Sequence, residues 1–150
     1  VVSLSTLDHF ERATDIEASL RELARVQPAG GRLLLTLDNP ANPEVALRRL
    51  LPRGLVRRLR ADTFYLGETV GERRGGRLLT DAGYEVERVA YLIHALRYPA
   101  IRLLRWVDRP RLTGLRRIVE GLLLAAETLD KLPTRGVTGH YVAWVSRKNG

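Results

Sequence analysis

The chain of 150 residues contains no cysteine and no methionine. Without cysteine there are no disulfides, no thiolate metal ligands and no cysteine nucleophile, and the redox compartment is left open. No run approaches the roughly 18–20 apolar residues of a membrane-spanning helix, so a spanning helix is excluded. Repeats at a period of about 20–50 residues and low-complexity tracts are absent too. Lysine is nearly missing: Lys131 and Lys148 are the only two, and arginine carries the rest of a net charge of +8. The opening Val1-Val2-Ser3-Leu4 has neither an initiator nor the charged and apolar regions of a signal peptide. The expectation is a cytoplasmic protein of which this chain is a later piece. What is present suits one folded domain, since 45% hydrophobic residues are enough for a core.

The pattern along the chain alternates strands and helices. Residues 1–5 read as a short buried strand. Thr14 and Glu17 have the spacing of a capping box, and Ile16, Leu20 and Leu23 fall on one face of a helix that runs to about Val26. Gln27-Pro28-Ala29-Gly30-Gly31 ends it, and Leu33-Leu34-Leu35-Thr36-Leu37 follows as a strand covered on both faces. Strand, helix, strand in this order predicts a right-handed βαβ unit. Residues 44–59 predict a basic helical excursion broken near Pro52-Arg53-Gly54. A helix over residues 69–82 stops at Gly83, and Tyr84–Leu92 reads as a strand. Residues 113–129 carry Leu115, Ile118, Val119, Leu122, Ala126 and Leu129 along one stripe, which predicts a helix packed on the sheet. Residues 139–147 form a last strand. The class is α/β.

Four segments in sequence carry a resemblance. "VVSLSTLDHF", "LRELARVQPAGGRLLLT", "LLTDAGYEVERVAYL" and "GHYVAWVSRK" resemble the carboxy-terminal half of a class I S-adenosylmethionine-dependent methyltransferase. The shared features are Leu7-Asp8-His9 after strand four, Pro28 to Gly31 before strand five, Ala82-Gly83-Tyr84 before strand six, and a returning last strand. The turn at Gln27 to Gly31 is one residue longer than usual, and residues 93–137 form a longer connection than usual. The resemblance implies the C-terminal half of a Rossmann-like methyltransferase fold, in strand order 4-5-7-6. The sheet would be mostly parallel with an antiparallel last strand. Residues 1–150 would be a single partial domain, with 93–137 a helical insertion between the last two strands. The family's glycine-rich loop after a first strand, and the acidic residue closing the second, have no counterpart in the sequence. A missing amino-terminal half, or a partner chain, is therefore expected to cover residues 1–5, whose open edge would otherwise invite aggregation.

The implied activity is methyl transfer from S-adenosylmethionine to a small-molecule acceptor, a hydrophobic one among the options, covered by residues 44–70 and 93–137. Ser5, Thr6, Leu7 and Asp8 would flank the cofactor at a strand's carboxyl end, where open α/β sheets bind ligands. His9, which could touch the adenine or the substrate, and His94, which could accept a proton from a substrate hydroxyl, are the candidate catalytic residues; a structural role is the plainer reading of a lone histidine such as His94. Asp8, Asp38 and Asn39 gather at one sheet edge and resemble the Mg²⁺ triad of catechol O-methyltransferases. Asp8 and His9 as local caps and Asn39-Pro40 as a turn starter are the plainer readings. Phe64-Tyr65-Leu66-Gly67-Glu68-Thr69 offers either a wall over the substrate or core packing. His140, within the last strand, is expected to be only packed or exposed. Arg48-Arg49, Arg57-Arg58, Arg73-Arg74 and Arg116-Arg117 raise nucleic acid and an RNA-binding methyltransferase fragment, which the lack of interleaved aromatics disfavours. Ile101-Arg102-Leu103-Leu104-Arg105-Trp106 with the following stripe would suit a basic amphipathic lid over a hydrophobic acceptor or at an anionic membrane. The rival class is a non-catalytic half-fold or interaction module pairing through its first strand.

Overall fold

The computed structural model describes residues 1–51 and 67–150. Four strands form one sheet among the described residues: β1 (Val2–Leu4), β2 (Arg32–Asp38), β3 (Tyr84–Leu92) and β4 (Tyr141–Lys148), in the order β1-β2-β4-β3. This is the order the resemblance implied. The sheet is nonetheless mixed and not mostly parallel: β1 and β2 pair in parallel, and β4 is antiparallel to both β2 and β3. An antiparallel strand placed between two others, and not at an edge, contributes two antiparallel interfaces against one parallel one.

Helix α1 (Ala13–Val26) buries Ile16, Leu20 and Ala24, as its apolar spacing predicts. The expected capping box does not form. Arg12 takes the N-cap position with no side-chain cap, and Glu17 instead pairs with Arg21 one turn on. After β2, α2 (Pro43–Leu50) opens with proline in its first turn and Asn42 capping Glu44 and Val45. The remainder of the predicted basic excursion, with Pro52-Arg53-Gly54, Arg57-Arg58 and Phe64 to Leu66, lies outside the described residues. Helix α3 (Glu72–Asp81) is three residues shorter at its start than its pattern suggested. Between β3 and β4 run α4 (Arg97–Val107), α5 (Thr113–Ala126) and the short α6 (Arg135–Thr138).

The core lies between the sheet and α1 and α3: Ile16, Leu20, Leu33, Leu35, Leu37, Val70, Leu79, Tyr84, Val142 and Trp144 are its fully buried members. Burial of this kind yields about 25 cal/mol per Å² of apolar surface and drives the assembly. Two expectations fail here. Strand β1 is not buried, since Val2 and Leu4 are 64% and 56% exposed at the sheet's open edge. The α5 stripe does not pack on the sheet: α5 packs on α4, only Val119 is buried, and Leu115, Ile118 and Leu122 face outward.

Helix α3 crosses the sheet at a glycine. A Cβ on Gly75 would stand 2.4 Å from Cζ2 of the fully buried Trp144, whereas one on Gly76 would meet nothing within 4 Å. Gly76→Ala should therefore raise stability by about 0.5–1 kcal/mol through helix propensity. Gly75→Ala should lower it by about 1–3 kcal/mol despite the same propensity gain, because the indole cannot move without opening the core. Urea unfolding of the two variants measures the opposite signs.

Candidate functional site

The carboxyl ends of β1 and β2 and the amino end of β4 meet at one edge of the sheet. This follows from the register. Asp38, the last residue of β2, is opposite Tyr141, the first of β4. The β4 ladder continues one residue further, with the Asn39 N–H donating to the His140 carbonyl at 2.8 Å. On the other side the His140 N–H donates to Leu92 and Ile93 carbonyls at the end of β3. Asn39 and Asn42, both 2% exposed, stitch the β2–α2 turn to the segment before β4. The Asn39 amide donates to the carbonyls of Gly136 and Gly139 at 2.9 and 2.8 Å, and that of Asn42 to Thr138 at 2.9 Å.

At the end of β1 the backbone turns sharply. Ser5 has φ of 47°, the left-handed region that a non-glycine residue adopts at a cost. Its N–H is held by Thr36, and its hydroxyl donates to Asp8 Oδ2 at 2.7 Å. Asp8 is buried and its second oxygen, Oδ1, has no hydrogen-bond partner among the described residues. Gly67 runs against this turn, its N–H on the Asp8 carbonyl; a Cβ there would lie 2.3 Å from the Phe10 carbonyl, so glycine permits the approach.

Above the sheet edge, His140 is 1% exposed. Its Nε2 lies 3.8 Å from Asp38 Oδ1 and its Nδ1 3.4 Å from Glu44 Oε2. Neither ring nitrogen, nor Asp38 Oδ1, has a hydrogen-bond partner among the described residues. Glu44 holds α4 in place by accepting the Arg97 and Tyr98 N–H groups at 2.9 Å, doing for that helix what an N-cap side chain does. This delivers the guanidinium of Arg97 to the Tyr141 hydroxyl and the Tyr98 hydroxyl to Arg48. Arg48 lies 4.9 Å over the Tyr98 ring and Arg97 5.5 Å over that of Tyr141.

Burial dominates the electrostatics of this edge. The Asp38 carboxyl is pushed up to about 6 by burial and then by Asp8, against the pull of Arg97, Arg48 and His9. His140 is pushed down to about 4 by burial, then by Arg97 and Arg48, so its ring is neutral near pH 7. Burial also raises the Tyr98 and Tyr141 phenols.

The structure thus gathers Ser5, Asp8, His9 and Asp38, as predicted from their strand-end positions. His9 is half exposed at the rim, its Nε2 4.0 Å from Asp8 Oδ1. Thr6 is exposed and its hydroxyl folds back on the Leu4 carbonyl, while the Leu7 side chain belongs to the core. Asn39 departs from the triad reading. Its Oδ1 accepts from the Ala41 N–H and its amide is spent on the 136–139 segment. No group of three His, Cys, Asp or Glu residues with metal-holding geometry occurs among the described residues. His94 stands apart from this group, enclosed and hydrogen-bonded. Its side chain is inaccessible, Nδ1 bonds Thr138 Oγ1 at 2.8 Å and Nε2 bonds the Tyr91 carbonyl at 3.2 Å, which ties the helical excursion to β3. Sequence reasoning passed over His140, Glu44, Arg97, Tyr98 and Tyr141. The one signal for them was that a last strand returning antiparallel must start where β2 ends. The arginine pairs scatter over α2, α3 and α5, with Arg49 and Arg74 on Glu68 and Arg116 on Asp108 and Glu120. No helix of the described residues is long and apolar enough to cross a membrane.

No family model and no curated protein matches the chain. Solved structures do. A candidate sarcosine dimethylglycine methyltransferase from Galdieria sulphuraria is similar over 99% of this chain and 52% of its own, with TM-score 0.54 at 13% identity. Phosphoethanolamine N-methyltransferase 2 from Haemonchus contortus was solved with phosphomonomethylethanolamine and S-adenosylhomocysteine. It is similar over 99% of this chain and 33% of its own, with TM-score 0.50 at 14% identity. The chain therefore has the fold of S-adenosylmethionine-dependent methyltransferases and spans about half or less of these neighbours' length.

The two buried titrating groups give stability opposite slopes with pH. Between the ordinary 3.8 and about 6, folded Asp38 holds more proton than unfolded, so its contribution falls as pH rises. Between about 4 and the ordinary 6.5, folded His140 holds less, so its contribution rises. Relative to wild type, the melting temperature of Asp38→Asn should climb from pH 4 to 6, and that of His140→Gln should drop from pH 4 to 6.5. Scanning calorimetry across that range reads both.

Proposed function

We propose that this chain is the acceptor-side portion of an S-adenosylmethionine-dependent methyltransferase acting on a small molecule. The observation that carries the reading is the meeting of Asp8, Asp38 and His140, with unfilled hydrogen-bonding atoms, at the carboxyl edge of β1 and β2. That edge is where open α/β sheets place ligands. The fold shared with methyltransferases supports it.

The residues fit one flank of a cofactor site. The left-handed turn at Ser5 brings Thr6 and the peptides of Leu7 and Asp8 out at the end of β1, whose outer side makes no ladder among the described residues. When bound, S-adenosylmethionine supplies a methyl group on a sulfonium, an electrophile that needs only an aligned nucleophile. The chain's own residues do the aligning. Asp38 and His140 take hydrogen bonds from the acceptor, the Asp38 carboxylate can take a proton from it, and the Tyr98 and Tyr141 rings wall the group from water. Asp8, fixed by Ser5, stands between the acceptor and the cofactor flank. The open β1 edge, with Val2 and Leu4 exposed, favours a covering segment or chain beside it.

Irradiation of the native protein with methyl-tritiated S-adenosylmethionine tests this. The label should appear on the tryptic peptide ending at Arg12 and disappear with excess S-adenosylhomocysteine. Absence of any competable label contradicts the cofactor reading, and label confined to other peptides contradicts the role of the Ser5 turn.

A further inference from the structure

Four atoms at the sheet edge lack a hydrogen-bond partner among the described residues: Asp8 Oδ1, Asp38 Oδ1 and both ring nitrogens of His140. A buried polar atom left in this state is costly, so such a cluster is expected where a ligand completes it. Their chemistry narrows the ligand. With the ring proton on Nδ1, toward the Glu44 carboxylate 3.4 Å away, Nε2 is an acceptor and faces Asp38 Oδ1 at 3.8 Å. Two acceptors face each other with a third, on Asp8, close enough to act on Asp38 through its charge. All three ask for a donor.

An anion would meet two carboxylates. A hydroxyl brings one donor for three acceptors. An ammonium brings three donors and a positive charge, which also relieves the repulsion between Asp8 and Asp38. Arg97 and Arg48 act on Asp38 through their charge, but they donate hydrogen bonds to the Tyr141 and Tyr98 hydroxyls.

We propose that this site holds a protonated primary amine between Asp8 Oδ1, Asp38 Oδ1 and His140 Nε2, and that small amines are the acceptor class. This rests on the methyltransferase reading for the transfer, though not for the binding. The chain's chemical part is deprotonation. One N–H bond of the ammonium breaks, its proton passes to Oδ1 of Asp38, and the electron pair stays on nitrogen as the lone pair of a neutral amine. His140, neutral, keeps its hydrogen bond to the nitrogen throughout and orients that lone pair. The groups facing Asp38 are Asp8 and His9 from the β1 turn, Glu44 and Arg48 from α2, Arg97 and Tyr98 from α4, and His140 and Tyr141 at β4.

Matched probes test it with the wild-type protein: benzylamine against benzyl alcohol, and ethanolamine against ethylene glycol, by titration calorimetry and saturation-transfer NMR. At least one amine should bind at least 10-fold tighter than its alcohol. Repeating the titration near pH 6 in buffers of different ionisation enthalpy should show proton release, as the arriving cation ionises Asp38. Asp38→Asn and, separately, His140→Phe should weaken amine binding at least 10-fold and remove or reduce that release. Equal binding of amine and alcohol, binding without proton release, or binding of neither probe overturns the proposal. Amine binding without competable S-adenosylmethionine labelling keeps the amine site and removes the methyl-transfer reading. Labelling without amine binding does the reverse.

Discussion

The antiparallel strand β4, inserted between β2 and β3, is the constraint on which the rest of the molecule depends. It is hydrogen-bonded along both sides, from Arg147 opposite Arg32 to Tyr141 opposite Asp38, and from Lys148 opposite Tyr84 to Tyr141 opposite Leu92. Trp144, at its middle, fills the core beneath α3, and Gly75 exists to let it. Because the strand runs against its neighbours, its amino end falls where theirs finish. The main chain of His140 bonds to both sides at that point, so the imidazole has one place to go.

Around that fixed point the sequence supplies local devices that hold polar side chains out of water. Asn39 and Asn42 spend their amides on the carbonyls of residues 136–139, and Asn42 also caps α2. Glu44, in the first turn of α2, caps α4 and thereby places Arg97 and Tyr98 beside His140. Buried polar groups are stable when satisfied and costly when not. Here Asn39, Asn42 and Glu44 have their side-chain polar atoms engaged, while four atoms at the centre have no hydrogen-bond partner among the described residues. Ser5, held in the left-handed region at the end of β1, stores strain beside the same atoms.

Much of this fold was legible in the sequence. The unbroken apolar run from Leu33 to Leu37 could only be a covered strand, and the bounds of β3 follow from Ala82-Gly83 before it and its β-branched and aromatic content. The placement of Asp8 and Asp38 at the sheet edge was legible because strand-end positions are local facts. The turn-starting role of Asn39 was legible in Asn39-Pro40 and is seen in its Oδ1 accepting from the Ala41 N–H, whereas the partners of its amide lie almost a hundred residues away and nothing local announces them. His94 stands after a strand just as His9 does, and only the docked structure shows its ring nitrogens against Thr138 and the Tyr91 carbonyl. The capping box at Thr14 and Glu17 failed because the helix starts two residues earlier than that spacing implies, with Arg12 at the N-cap and Thr14 already inside the first turn. His140, the most informative residue, was legible as part of a strand and invisible as part of a site, since its meaning lies in the register of β4.

The most direct measurement is an NMR titration of the His140 imidazole through its long-range ¹H–¹⁵N couplings. A ring held at the carboxyl edge by the β4 register, buried beside Arg48 and Arg97, stays neutral on acidification until a midpoint near 4. A midpoint at the ordinary 6.5 would mean that the ring stands in water. It would contradict the placement of His140 and with it the site built around it.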